Sequence, residues 1–190
     1  TRCSVKTLPH QEIRFALDGR ELTRWIFSLD TPRPYFYPIC GPSGISLSRI
    51  GHPGAPNHDH HRSLWFAHND LLGISFWTEE SPARIRQNQW YVAEETDQHG
   101  RLAVELHWLD GHNPTPLVKQ DLIMTIRPQP TLGQRAWSLE LQSDFRATGD
   151  GVEFRQSNFG ILGLRVARSL SVIFGQGAIQ GENGGSGEAA

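Results

Sequence analysis

The chain has 190 residues, enough for one domain with a substantial core, and its formal net charge is -2. Its lysines and arginines are scattered without a basic stripe, which argues against a nucleic-acid partner. No apolar run approaches the roughly eighteen residues of a bilayer span, so no membrane role is expected.

The dominant apolar period is two. "EIRFALDGRELTRWIFSLD" alternates on both sides of Asp18-Gly19, a strong hairpin signal. "RPYFYPICGPSG" reads as a proline-punctuated edge strand followed by a Gly-Pro-Ser-Gly turn. "GISFW" reads as a short strand entered from a His-rich loop. "ARIRQNQWYVAEETDQHGRLAVELHWLD" supplies two more alternating runs, parted by Asp97-Gln98-His99-Gly100. "PLVKQDLIMTIRPQP" and "RAWSLELQSDFRAT" continue the pattern, and "LGLRVARSLSVIF" is apolar at alternate positions. Eight or nine short strands joined by Gly, Pro, Asn and Asp turns predict an all-β, antiparallel β-sandwich with little or no helix. A single sandwich domain over 1–190 is expected, with 175–190 a glycine-rich loop or tail. A sandwich ending on such a segment suggests that further strands follow.

Two cysteines, Cys3 and Cys40, do not make a disulfide framework and read as free thiols in a reduced compartment. "TRCSVKTLPHQEIRF" lacks the apolar core and cleavage pattern of a signal peptide. A cytoplasmic location is therefore expected, with a secreted or periplasmic one open where a leader has been removed.

Chemistry concentrates in "HDHHRSLWFAHND", where His58, His60, His61 and His68 lie within eleven residues. Three readings stay open. In the first this is a solvated polar loop. In the second one imidazole, of His60, His61 or His68, transfers protons, with Asp59 or Asp70 to orient it and Arg62 to clamp an oxyanion. In the third a divalent transition metal is held by His58, His60 and a third ligand such as His68. If the stretch were extended, His58 and His60 would face one side and His61 the other, dividing the cluster.

"RPYFYP" presents Tyr35 and Tyr37 on one side of a strand beside Arg33, a pattern that can stack on a sugar or simply pack. The tail "GQGAIQGENGGSG" lacks the Gly-Lys-Ser/Thr ending of a phosphate loop. Its Glu182 or Glu188 would serve as a base only if the tail folds over a cleft. Arg165 and Arg168 fall on opposite faces of the last predicted strand, one of them a candidate substrate clamp.

The segments "RPYFYPICGPSG", "HDHHRSLWFAHNDLLGISFW", "NFGILGLRVARSL" and "GENGGSGEAA" resemble the bacterial PmoA-like family of unknown function, from about Arg20 to the last residue. The family's label refers to a methane oxygenase, whose membrane subunits are multi-helical. A β pattern with no spanning segment sets that activity aside. The resemblance implies a chain truncated at its C-terminus and a sandwich similar to the galactose mutarotase supersandwich. Aldose epimerases present a similar aromatic strand and His-bearing loop to their sugar.

The expected function is carbohydrate processing by proton transfer: epimerisation, or elimination or hydrolysis on an oxidised sugar. His60, His61, His68 and Arg62 would be catalytic. Arg33, Tyr35, Tyr37, Trp65, Asp70 and Glu182 would bind a sugar or keto-sugar, and no cofactor is required. The alternatives are a metal-dependent enzyme using His58, His60 and His68, and a non-catalytic carbohydrate-binding module. Nothing in the chain sets the oligomeric state.

Overall fold

The structure, a computed structural model, describes residues 2–52, 58–133, 135–182 and 184–186. It forms two antiparallel sheets packed as a sandwich. The first contains β1 (Cys3–Leu8), β2 (Glu12–Leu17), β3 (Arg20–Ile26), β4 (Tyr35–Ile39), β5 (Leu64–His68) and β10 (Gly160–Leu164) in the order β1-β2-β3-β4-β5-β10. The second contains β6 (Arg84–Glu95), β7 (Gly100–Leu109), β8 (Val118–Pro128) and β9 (Trp137–Ala147) in sequence order. No helix among the described residues is long and apolar enough to cross a membrane.

The β2–β3 hairpin forms where expected. Asp18 and Gly19 have φ of 50° and 78°, the left-handed pair that a tight two-residue turn requires. Alternation then sorts the side chains. Phe15, Trp25 and Phe36 from one sheet meet Leu102, Val104, Leu106, Trp108, Leu122, Met124 and Ile126 from the other, all buried. Each such side chain contributes roughly 1.5–3 kcal/mol by leaving water. The two core indoles are satisfied: Trp25 Nε1 donates to Gln87 Oε1 (2.8 Å) and Trp108 Nε1 to Gln120 Oε1 (2.9 Å). Cys3 and Cys40 are buried free thiols.

Four details differ from the sequence expectation. The strand after the His-rich segment is β5, not "GISFW". That segment turns at Leu72 (φ 54°) and Gly73 (φ 84°), closed by a Leu71–Ile74 bridge. β4 is an inner strand, not an edge, although it pairs sparsely with β3 and β5, which accommodates Pro38 without a donor. β1 brings the strand count to ten, because "SVKTL" is too short and too mixed to announce itself. The last strand stops at Leu164, leaving Arg165 beyond it and Arg168 in a single 3-10 turn, so strand parity does not apply to them.

β4 and β5 place a second aromatic cluster on the face of the sheet away from the main core. Phe36, Leu64 and Phe66 point inward, whereas Tyr35, Tyr37, Trp65 and Ala67 point outward and pack with Trp77 and Ile26. Edge strand β10 closes this face by glycine. Gly163 pairs with Trp65, and a Cβ at 163 would overlap the buried indole.

Gly163→Ala is therefore expected to cost about 1–3 kcal/mol in urea denaturation. Gly149→Ala, at an exposed position where a Cβ meets nothing, should change stability by less than about 0.5 kcal/mol. Equal stability of the two variants would show that β10 does not pack on Trp65.

Candidate functional site

The outer aromatic cluster is the floor of the site. The Trp65 and Trp77 rings lie 5.1 Å apart, and Tyr35 is buried beside them. Residues 58–61 cross this floor as a tight turn, with the His61 N–H donating to the His58 carbonyl at 3.1 Å. The stretch is not extended, so alternation does not divide its histidines. The ring centroids of His60 and His61 are 4.3 Å apart, and those of His58 and His61 are 5.1 Å apart. His61 stacks on Trp65 at 5.4 Å, with 25° between the planes. His52 extends the row to His58 (6.2 Å) and to Phe174 (5.0 Å).

Arg33 holds this turn from below. Its guanidinium is buried over Trp65 and donates to the His60 carbonyl (2.7 Å) and the Phe76 carbonyl (3.2 Å). The two carbonyls belong to different loops, so one cation joins them. Burial lowers its pKa to about 10, which still leaves it charged at neutral pH. Arg62 lies over the Tyr35 ring and grips Glu79 through two hydrogen bonds, of 2.7 and 3.0 Å. Burial pushes the Glu79 carboxyl up, but the hydrogen bond and charge of Arg62 outweigh it and hold the group below its usual range. Arg62 is thus engaged with Glu79, and Arg33 with the two carbonyls.

The histidines are kept neutral. Burial first, then the neighbouring His60 and Arg165, lower His61 from 6.5 to about 4. His60 is lowered by burial and then by Arg33. At neutral pH both imidazoles carry a lone pair, so both can accept a proton.

A three-segment ladder borders the turn. Residues 47–51 run between 61–63 and 165–167, with bridges Ile50–Arg62 and Ser48–Val166. The Gly51 N–H donates to the His61 carbonyl (2.8 Å) and the Arg49 N–H to the Arg165 carbonyl (3.0 Å). Ser63, at a left-handed φ of 57°, donates its hydroxyl to Ser48 Oγ at 2.7 Å. Arg49, Arg165, His52, His58 and Phe174 line a cavity of about 370 Å3 beside this ladder.

The remaining sequence candidates lie elsewhere. His68 is on the core-facing side of β5, where its Nε2 donates to the Arg155 carbonyl (2.9 Å) and its ring meets Phe154. The sheet separates it from His58 and His60, so the proposed metal set of His58, His60 and His68 is not assembled. Among the described residues no group of three His, Cys, Asp or Glu side chains could hold a metal. Asp70 accepts from the Gly73 N–H at 2.8 Å and serves the turn. Glu182 is exposed, and Glu188 lies outside the described residues. Tyr35 and Trp65 are 6% and 2% exposed, so they support the histidines from beneath and present little open surface for stacking. Sequence reading missed Glu79, Trp77, His52 and Arg49. Only the repeated aromatic of "FWTEE" hinted at Trp77, and no local spacing links Glu79 to Arg62 across seventeen positions.

The chain matches, over residues 12–190, the model of a family of unknown function, DUF6807, and belongs to that family. A search of curated proteins finds no match, and a search of solved structures finds none. The match carries no link to the PmoA-like label or to the mutarotases.

The pKa of His61 has a consequence for stability. Its folded value lies below the unfolded one, so between pH 6.5 and about 4 the unfolded chain binds the extra proton. This group's contribution to stability therefore rises with pH across that window and is lost on acidification. In denaturation series at pH 4.5 and 7, His61→Gln is expected to lose less stability on acidification than the parent. An identical loss in both proteins would show that His61 titrates normally.

Proposed function

We propose that the protein processes a carbohydrate by proton transfer, with His61 as general base. The observation that carries this reading is an imidazole seated on Trp65, with the rings of His58 and His60 beside it and a buried guanidinium over the same indole. A free imidazole would be half protonated near pH 6.5, whereas this one keeps its lone pair through the physiological range. In the step, His61 takes the proton from a carbon next to a carbonyl and the C–H electron pair moves to the carbonyl oxygen as an enolate. Fixed positive charge at Arg33, buried beneath the turn, stabilises that developing negative charge without reorganising. Return of that proton by His61 gives the retained sugar; handed first to the lone pair of His60 beside it and delivered from there, it gives the epimerised one. Loss of a β-substituent from the same enolate would give the elimination product instead.

The sandwich fold agrees with this reading, although a fold does not assign a reaction. The non-catalytic binding reading is the weaker one. It needs an open aromatic platform, and Tyr35, Trp65 and Trp77 are buried.

The reading is tested by deuterium exchange into a panel of ketoses and hexuronates in D2O, followed by NMR. The parent protein should catalyse exchange at one carbon, and His61→Gln should slow it by about 10²–10⁴-fold. His68→Gln should leave the rate close to the parent's. Absence of exchange across the panel, or an unchanged rate in His61→Gln, would overturn the assignment.

A further inference from the structure

We propose that Arg49 and Arg165 form a receptor for an oxyanion, the carboxylate or phosphoryl group of an acidic sugar. The ladder sets the pair. Arg49 and Arg165 occupy adjacent hydrogen-bonded segments, and both line the cavity that also holds His52, His58, Ser171 and Phe174.

Their charges are unanswered. Arg24, Arg62, Arg127, Arg146 and Arg155 each have a carboxylate within ion-pair distance, and Arg20, Arg33, Arg84 and Arg86 donate to backbone carbonyls instead. Among the described residues neither Arg49 nor Arg165 has one, and the buried Nε of each has no hydrogen-bond partner. Two neighbouring guanidiniums without counter-charge repel, and each would gain from a shared anion. Burial, and then Arg49, indeed hold Arg165 below the usual arginine value. A guanidinium is weakly hydrated and offers a planar fork of donors, which suits carboxylate and phosphate oxygens.

The cavity fits a small ligand with one charged end. Its volume of about 370 Å3 lies at the lower end of small-ligand sites. Ile173 and Phe174 supply the apolar part of its lining. His58 lines the cavity and touches His61, so an anion held by the arginines would place the rest of the molecule one ring from the base. That the ligand is a sugar rests on the function proposed above; the oxyanion site itself does not.

Isothermal titration of the full chain with D-galacturonate, glucose 6-phosphate, inorganic phosphate and neutral D-galactose tests the receptor. The parent should bind at least one acidic sugar more tightly than galactose, with affinity falling as NaCl is raised. Arg49→Met and Arg165→Met should each weaken that binding at least tenfold and leave galactose unaffected. Binding of galacturonate alone assigns a carboxylate, and binding of the phosphate ester alone assigns a phosphoryl group. Removing one of two unpaired cations should not lower the thermal midpoint of the ligand-free protein. If a variant fails to fold, the parent's acidic-over-neutral preference and its salt dependence decide.

The receptor is overturned if galactose binds as tightly as both acidic sugars, if acidic binding survives in the double variant, or if no acidic sugar binds. The two proposals fail separately. Exchange that depends on His61 and proceeds only on neutral sugars removes the receptor and keeps the base. Arginine-dependent binding with no exchange keeps the receptor and removes the base.

Discussion

One buried cation organises this site. Arg33 enters the space above Trp65 and spends its donors on two backbone carbonyls, of His60 and of Phe76. A buried charge is tolerated only where hydrogen bonds replace water, and here both replacements come from loop carbonyls. The arrangement runs both ways. The loops satisfy both terminal nitrogens of the guanidinium, whose Nε stays without a partner, and the guanidinium fixes the loops. Removing it would leave two carbonyls short of a donor, at about 1–3 kcal/mol for each that stays buried.

The chemistry of the histidines follows from that anchoring. With the turn pressed onto Trp65 and Trp77, the rings of His60 and His61 lose water, and nearby positive charge disfavours a second proton. Arg62 would repeat this effect, but Glu79 takes up its charge and ties the 77–80 loop to β5's approach. The region therefore contains one answered arginine, one arginine held by carbonyls, and two that face a cavity. That distribution makes neutral imidazoles and an anionic ligand two consequences of a single field.

Much of the sandwich was legible in the sequence, because hairpins are local. Asp18-Gly19 and the 97–100 turn are read from turn chemistry, and β6 to β9 from alternation that their buried faces preserve. The face assignment of Tyr35 and Tyr37 followed from the same rule. What was hidden depends on long-range partners. β5 is read as loop because "LWFAH" is apolar on both faces, one toward the core and one toward the second cluster. The histidines were divided by strand parity because a turn at 58–61 is set by Arg33, which lies twenty-seven positions away. Arg49 met Arg165 through a ladder whose segments are more than one hundred residues apart, and no spacing rule reaches that far.

The account stands on the link between Arg33 and the state of His61, and NMR titration of the histidine rings in the parent and in Arg33→Met measures it. In the parent, His61 should titrate near pH 4. In Arg33→Met, with the Trp25 and Trp108 indole signals unchanged as proof of an intact core, its pKa should move up toward 6.5, as the turn reaches water and a cation is lost. A parent value near 6.5, or the same low value in both proteins, would contradict the account.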